Sequence, residues 1–165
     1  MRTAARTSAL ATATLLGMAL ASPAASAATT STPQNNVVRL TNKASGWCLY
    51  YDGNVVKTST CGRTYTDQRW RVEPVGGGLY QLRSLDYGTC LSGSPYSRGQ
   101  KLTAIGCGGA GTRWAPNYSP APGATVTWSV SAGGNTRCMG SNPDHNAYTW
   151  TCNSSDRQQW ELMNA

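Results

Sequence analysis

Charged residues, histidine and phenylalanine are all scarce in this sequence. Of 165 residues only 13% are charged, one is histidine and none is phenylalanine. The single histidine excludes any metal site that requires two or more histidine ligands. No stretch has the apolar spacing of a long helix, so a mainly helical fold is excluded. Six tryptophans and eight tyrosines favour one folded domain over a disordered chain.

The first 27 residues have the pattern of a secretory signal peptide. Two arginines precede an apolar stretch, residues 9–21, and the sequence Ala-Ser-Ala follows at residues 25–27. A basic start, an apolar middle and a small-residue end are typical of such signals. The apolar stretch is shorter than the roughly 20 residues of a membrane-spanning helix, which disfavours the alternative of a membrane anchor. We therefore expect a secreted protein in which residues 1–27 are removed and residues 28–36 form a flexible lead.

Beyond residue 36 the chain divides into three similar units. Each has an apolar position ten residues before a cysteine, then a second cysteine and then a tryptophan. The units extend over about residues 37–73, 79–117 and 127–163, within one domain at residues 37–165. Four tryptophans occupy apolar positions of the repeat and are predicted to pack in the core: Trp70, Trp114, Trp128 and Trp160.

Each unit is predicted to consist of short strands. Apolar and polar residues alternate in residues 37–40, 79–82 and 126–130, as in half-buried strands, and glycine-rich turns break the chain between strands. Units of this length hold about four strands, or about twelve in all. A propeller has repeats of similar length but usually needs at least four blades. The three units therefore predict one all-β barrel with threefold pseudo-symmetry.

The six cysteines are predicted to form disulfides, because export leads to an oxidising compartment. Equivalent positions should have equivalent surroundings, so the most economical pairing lies within each unit: Cys48–Cys61, Cys90–Cys107 and Cys138–Cys152. Each bond would close a loop of about 15 residues and stabilise the fold by roughly 3 kcal/mol. Zinc is the alternative for the cysteines, but the absence of a C-x-x-C pair disfavours it. We expect neither a metal nor a cofactor.

The tryptophan of each unit belongs to a short motif. Residues 68–70 and 158–160 are two copies of Q-x-W, and residues 112–114 are a variant that begins with threonine. Together with the Cys-Leu pairs of the first two units, this pattern resembles the ricin B-type lectin module over about residues 36–164. The resemblance implies a β-trefoil fold. It also implies binding of sugars, often of galactose or xylose type, in up to one shallow pocket per unit.

The pocket residues of that family are retained unevenly. The aspartate that normally lies two residues after the first cysteine is replaced in all three units, by Tyr50, Ser92 and Gly140. The aromatic residue often found two positions before the second cysteine is kept only as Trp150. The polar pair that begins the Q-x-W region, usually asparagine then glutamine, is Arg157 and Gln158 in the third unit.

The resemblance places the best candidate pocket in the third unit. A sugar pocket needs an aromatic ring against the C–H face and amides or carboxylates for the hydroxyls. Trp150 is the predicted platform and Gln158 a predicted hydroxyl partner. Asp144, His145 and Asn146 lie in the loop between the cysteines and are predicted to replace the missing carboxylate.

The first unit contains the second candidate pocket. Here Asp52, Asp67 and Gln68 are predicted to hold hydroxyls, and Tyr50 or Tyr51 to cover the ring. Gln68 and Gln158 have an alternative role, since buried amides commonly tie loop backbone by hydrogen bonds.

The sequence predicts no catalytic site. His145 follows Asp144, but no G-x-S-x-G motif supplies a nucleophile, and the few acids suggest no close pair for glycoside hydrolysis. The predicted function is non-catalytic carbohydrate binding, with a glycan or polysaccharide as the partner. The alternative is a trefoil scaffold that binds a secreted protein, as a subunit or as an enzyme inhibitor. We expect a monomer with no membrane span and, because of export, no nucleic-acid ligand.

Overall fold

The structure, a computed structural model, describes residues 36–165, which form fourteen strands and two short 3₁₀ helices. The predicted signal peptide, residues 1–27, and all of the predicted lead except Asn36 lie outside the described residues. The strands are β1 (Val37–Asn42), β2 (Cys48–Tyr51), β3 (Val56–Ser59), β4 (Trp70–Gly76), β5 (Leu79–Ser84), β6 (Cys90–Ser92), β7 (Gln100–Lys101), β8 (Thr103–Ile105), β9 (Ala115–Pro116), β10 (Thr125–Val126), β11 (Trp128–Ala132), β12 (Asn135–Ser141), β13 (Ala147–Trp150) and β14 (Trp160–Asn164). The 3₁₀ helices span Thr66–Gln68 and Asp156–Gln158.

The fourteen strands correspond to the twelve that the repeats predict. Leu102 alone separates β7 from β8, and Thr127 alone separates β10 from β11, so each pair is one strand with a single-residue interruption. Each repeat then has four strands, which confirms the predicted all-β trefoil. Within residues 36–165 no helix is long and apolar enough to cross a membrane.

Six strands close a barrel when β10 and β11 are counted as one. β1 pairs with β4, β4 with β5, β9 with β11, β10 with β14 and β14 with β1, all antiparallel. A bridge between Tyr80 of β5 and Trp114, the residue before β9, completes the ring. The remaining strands form one hairpin per repeat, in which β2 pairs with β3, β6 with β8 and β12 with β13. The pairing of β1 with β14 joins the first described strand to the last.

The repeat tryptophans form the centre of the core. Trp70, Trp114, Trp128 and Trp160 are all fully buried, which confirms their predicted packing role. The tryptophan that ends each Q-x-W or T-x-W motif donates its indole N–H to the carbonyl oxygen of the residue after the first cysteine of its own repeat. These bonds measure 3.1, 3.0 and 3.2 Å, and their acceptors are Leu49, Leu91 and Met139. A buried indole N–H needs such a partner, so each motif fastens its own hairpin to the core.

The disulfides confirm the predicted pairing within each repeat. They join Cys48 to Cys61, Cys90 to Cys107 and Cys138 to Cys152, and the Cα atoms of every pair are 5.0 Å apart. Each first cysteine lies on the first strand of a hairpin, and each second cysteine comes two residues after its last strand. Each bond therefore fastens the open end of a hairpin. In the third repeat, Trp150 is the last strand residue before this bond.

Candidate functional site

The third repeat carries an open pocket of about 430 Å³. Its walls come from β13, β7, the turn between β12 and β13, and the segment that contains the second 3₁₀ helix. Three of the predicted site residues, Asn146, Trp150 and Gln158, line it. The volume falls within the about 300–1,000 Å³ that is usual for small-molecule sites. We call this cavity the third-repeat pocket.

The pairing of three strands explains how the side chains of the third-repeat pocket meet. Tyr148 and Trp150 are two residues apart on β13, and alternate side chains of a strand share a face. Gly140 of β12 and Lys101 of β7 are the cross-strand partners of Tyr148 on its two sides. Cross-strand partners also share a face. The pocket therefore lies on the outer face of these three strands.

Trp150 presents a supported but accessible ring. It is 37% exposed. The Tyr148 ring packs edge-on against it, with centroids 6.1 Å apart at 84°, and the guanidinium carbon of Arg98 lies 4.6 Å from the indole centre. Gly99 has a φ of +72°, and a Cβ there would come within 3.1 Å of the indole. Glycine therefore allows the chain to pass close to the ring, which is held in place before any ligand binds.

The two motif glutamines tie loop backbone, which is the alternative role predicted for them. Gln158 is 2% exposed; it donates to the carbonyl oxygen of Thr151 and accepts from the N–H of Asn153, both at 2.9 Å. Gln68 makes the equivalent two bonds in the first repeat, to the loop at residues 60–62. A direct contact between Gln158 and a sugar hydroxyl stays a prediction.

The loop residues predicted to supply a carboxylate separate into two groups. Asn146 lines the third-repeat pocket, whereas Asp144 and His145 are not among the residues that line it. His145 has a φ of +62°, and its ring stacks on Trp47 of the first repeat at 3.8 Å and 12°. Its Nδ1 lies 3.2 Å from the carbonyl oxygen of Thr58. The hairpin turn thus directs the only histidine of the chain toward another repeat.

The first repeat brings three of its predicted site residues together. Burial raises the pKa of the Tyr50 phenol, and the charges of Asp52 and Asp67 raise it further. Burial and the neighbouring charge of Asp86 raise the pKa of Asp67. Asp52 accepts the backbone N–H groups two and three residues further on, at 2.9 Å each, which lowers the pKa of its carboxyl. Gln68 is buried beneath the loop that it ties.

Within residues 36–165 no cluster of three acidic, cysteine or histidine side chains is placed to hold a metal ion.

The second repeat has a smaller hollow of about 220 Å³, in which Ser92 and Tyr96 take part. Ile105 occupies the position that Trp150 has in the third repeat, and its side chain is 37% exposed. The three equivalent positions of the trefoil therefore differ in what they offer a ligand, and only the third has an indole there.

Sequence reasoning missed several residues of the third-repeat pocket, among them Lys101, Asn142, Tyr148 and Asn153. Tyr148 carries a usable signal, because it lies two residues before Trp150, and in a strand residues two apart share a face. Lys101 carries none, since it comes from the second repeat and reaches the pocket only through the pairing of β7 with β13.

Comparisons with known proteins give one family and one fold. The ricin-type beta-trefoil lectin domain matches residues 36–160. Among solved structures, the designed threefold-symmetric protein ThreeFoil is 20% identical with a TM-score of 0.66, over 79% of this chain and 99% of that one. The Macrolepiota procera ricin B-like lectin in complex with lactose is 17% identical with a TM-score of 0.64, over 82% and 98%.

An exo-beta-1,3-galactanase from Clostridium thermocellum is also similar, at 20% identity and a TM-score of 0.66. The match covers 81% of this chain but 31% of the galactanase, so the similar part is one portion of a longer protein. No curated protein matches the chain by sequence. At these identities, the solved structures establish the fold that the chain shares with them.

Proposed function

The chain belongs to the ricin-type β-trefoil lectin family, and we propose on that basis that it is a secreted, non-catalytic protein that binds carbohydrate. The proposed sugar site is the third-repeat pocket. The observation that carries this proposal is the accessible indole of Trp150 in a pocket that also presents the amides of Asn142, Asn146 and Asn153.

This pocket combines the two kinds of group that a pyranose requires. The C–H face of a sugar packs on an aromatic ring, while amides and hydroxyls bond to its hydroxyl groups. Trp150 provides the ring. The Oδ1 atom of Asn142 accepts the backbone N–H groups of Asp144 and Asn146, which holds the Asn142 side chain in place and leaves its NH₂ group for a ligand. Recognition of this kind needs no activated group.

Two further observations support the proposal that the protein is secreted and binds sugar without catalysis. All six cysteines are paired, as expected in an oxidising compartment, and the signal-peptide pattern precedes them. His145, the chain's one histidine, is stacked on Trp47 and contacts a backbone carbonyl rather than lining the third-repeat pocket.

A glycan array tests the proposal. The protein is expressed from its full sequence, purified with its disulfides intact and compared with Trp150→Ala. We expect binding to a defined set of sugars that Trp150→Ala weakens about tenfold, because the stacking surface is lost. Tyr118→Ala is the matched control, since Tyr118 is a 70% exposed aromatic outside the pocket, and it should bind as the wild type does. Binding that survives Trp150→Ala would contradict the pocket assignment.

The second candidate function is a scaffold that binds a secreted protein. It is favoured by the loss of the family's aspartate at Tyr50, Ser92 and Gly140 and by the exposure of Tyr96 and Tyr118, which are 62% and 70% accessible. If the folded protein binds no glycan on the array, this result would favour the second function. A pull-down from the producer's own secretions, with Tyr96→Ala and Tyr118→Ala as loss-of-binding variants, would then test it.

A further inference from the structure

The third-repeat pocket has a pronounced charge asymmetry. Lys101 and Arg157 both line it, whereas no acidic side chain does. Neither cation forms an ion pair within residues 36–165. The acids on the adjoining segments are Asp156, whose carboxylate pairs with Lys43 at 3.0 Å, and Asp144, which stands outside the pocket lining. The two charges that face the ligand space are therefore unneutralised.

Both cations are neighbours of one side chain, Tyr148. Lys101 is its cross-strand partner and shares its face of the sheet. The charge of Arg157 acts on the Tyr148 phenol, where it opposes the rise in pKa that burial causes. The phenol itself donates to the carbonyl oxygen of Ser141 at 3.4 Å, a long bond. A ligand over Tyr148 therefore meets positive charge from two directions.

Gly140, which lies opposite Tyr148, supplies no acidic side chain beside the pocket. A Cβ at this position would come within 3.3 Å of the backbone oxygen of Arg157 and within 3.4 Å of the Tyr148 ring and the Gln158 side chain. Only the first of these distances is tighter than most Cβ contacts. A larger side chain therefore fits here only if the backbone at Arg157 shifts by a few tenths of an ångström.

Two asparagines of the pocket, Asn142 and Asn153, offer a ligand donors only. The Oδ1 atoms of Asn142 and Asn153 are occupied by backbone N–H groups of their own turns, at 3.0 to 3.2 Å. Their NH₂ groups make no hydrogen bond within residues 36–165 and are free for a ligand. A third cation, Arg98, lies over the Trp150 ring. Free donors and cations together match a ligand that is rich in acceptors and negatively charged.

From these contacts we propose that the third-repeat pocket selects a sugar that bears a carboxylate, such as a hexuronic acid, with its ring against Trp150 and its carboxylate bound by Lys101 and Arg157. This inference rests on the function proposed above, because it names the chemistry of the ligand for the same pocket. Ammonium and guanidinium groups form stronger hydrogen bonds to a carboxylate than to a neutral hydroxymethyl group. Because the site is open to water and salt, the preference should be moderate.

Matched ligands test the charge directly. Affinities are measured by calorimetry for oligomers of galacturonic and glucuronic acid, for their methyl esters and for the neutral galactose and glucose oligomers. The ester keeps the shape of the acid and removes its charge. We expect at least one acid to bind about tenfold more tightly than its ester and its neutral counterpart, because the charge-assisted bonds are lost in both. High salt should weaken only the acid.

Variants assign the effect to the pocket. Lys101→Gln combined with Arg157→Gln should remove the preference for the acid, while Lys101→Arg retains it because the charge is kept. Arg113→Gln is the control, since Arg113 is exposed, forms no ion pair within residues 36–165 and does not line the pocket. Each variant must show the wild-type disulfides and melting temperature before its affinity is compared.

The outcomes separate this inference from the function on which it rests. Equal affinity for acid, ester and neutral sugar, with binding still sensitive to Trp150→Ala, overturns the charge selectivity and leaves the sugar site standing. A preference for acid that survives the double variant overturns the roles of Lys101 and Arg157. No binding of any sugar by the folded protein overturns the proposed function and the inference together.

Discussion

At the scale of single residues, the motif side chains act mainly on the protein itself. The Trp160 indole and the Gln158 amide both bond to backbone, one to Met139 in the hairpin and the other to the loop after it. The residues proposed to face a ligand stand at other positions, where Trp150 ends a strand and Arg157 precedes the motif glutamine. A recognisable fold signature and a changed binding surface therefore coexist in one repeat.

Gln158→Ala should destabilise the protein by about 1–3 kcal/mol, because it removes two part-buried hydrogen bonds, to the carbonyl of Thr151 and from the N–H of Asn153, each worth about 0.5–1.5 kcal/mol. Denaturant unfolding of the oxidised protein measures this change. Gln100→Ala, at an exposed position, is the control and should stay within about 0.5 kcal/mol of the wild type. Equal stability of the two variants would mean that the loop tie contributes nothing.

Asp67→Asn should raise the melting temperature at neutral pH and have little effect below about pH 3, where the carboxyl is protonated in both states. Burial and Asp86 raise the pKa of Asp67 in the folded protein. The folded state then binds the proton more tightly than the unfolded state, so stability falls as pH rises from the unfolded to the folded pKa. The amide removes this loss.

Asp52→Asn provides the comparison of opposite sign. The folded-state pKa of Asp52 is lowered by two backbone N–H groups, so its charge favours the folded state above the unfolded pKa, and that contribution is lost as pH falls. This variant should not gain stability at neutral pH. A melting temperature that rises equally for both variants would show that a general change in net charge, and not the local surroundings, is responsible.

At the scale of elements, each hairpin is held by two contacts near its open end, a disulfide and an indole hydrogen bond to the residue after the first cysteine. The third hairpin has Trp150 two residues before Cys152, so its disulfide also holds the end of the strand that carries the proposed ligand platform. The first hairpin has a disulfide in the same place but Ser59 at the platform position. Comparing the two hairpins therefore separates the effect of a disulfide on stability from its effect on sugar binding.

Replacing Cys138 and Cys152 by serine should cost about 2–5 kcal/mol and also weaken sugar binding, because the end of β13 is released. Replacing Cys48 and Cys61 should cost a similar amount and leave the affinity unchanged. Affinity is compared well below both melting temperatures. Equal loss of affinity in the two double variants would indicate that the disulfides act on binding only through global stability.

The elements also show which parts of the structure could be predicted from the sequence. Cysteine spacing and the repeated tryptophans were enough to predict a threefold all-β barrel and its disulfides, because equivalent positions impose equivalent contacts. The resemblance to the ricin B-type module implied that this barrel is a β-trefoil. The pocket depends on contacts that no repeat encodes. Lys101 enters by strand pairing from the second repeat, and the β12–β13 turn directs His145 onto Trp47. Sequence proximity therefore suggested His145 for the site and gave no reason to include Lys101.

At the scale of the whole molecule, the threefold fold carries three unequal surfaces. The first repeat presents a cluster of tyrosine and aspartates, the second has Ile105 at the platform position, and the third has the indole and the cations. If only the third repeat binds sugar, as proposed, the chain gains no avidity from its own repeats. We therefore expect a single sugar to bind per chain, in the third repeat.

The most direct test of this account is an NMR titration that follows the six indole N–H signals while a glycan from the array is added. We predict that the signal of Trp150, assigned through Trp150→Phe, shifts with saturation. The signals of the four buried tryptophans, Trp70, Trp114, Trp128 and Trp160, should remain in place. A saturating glycan that leaves Trp150 unmoved and instead shifts signals of the first or second repeat would contradict the third-repeat pocket as the binding site.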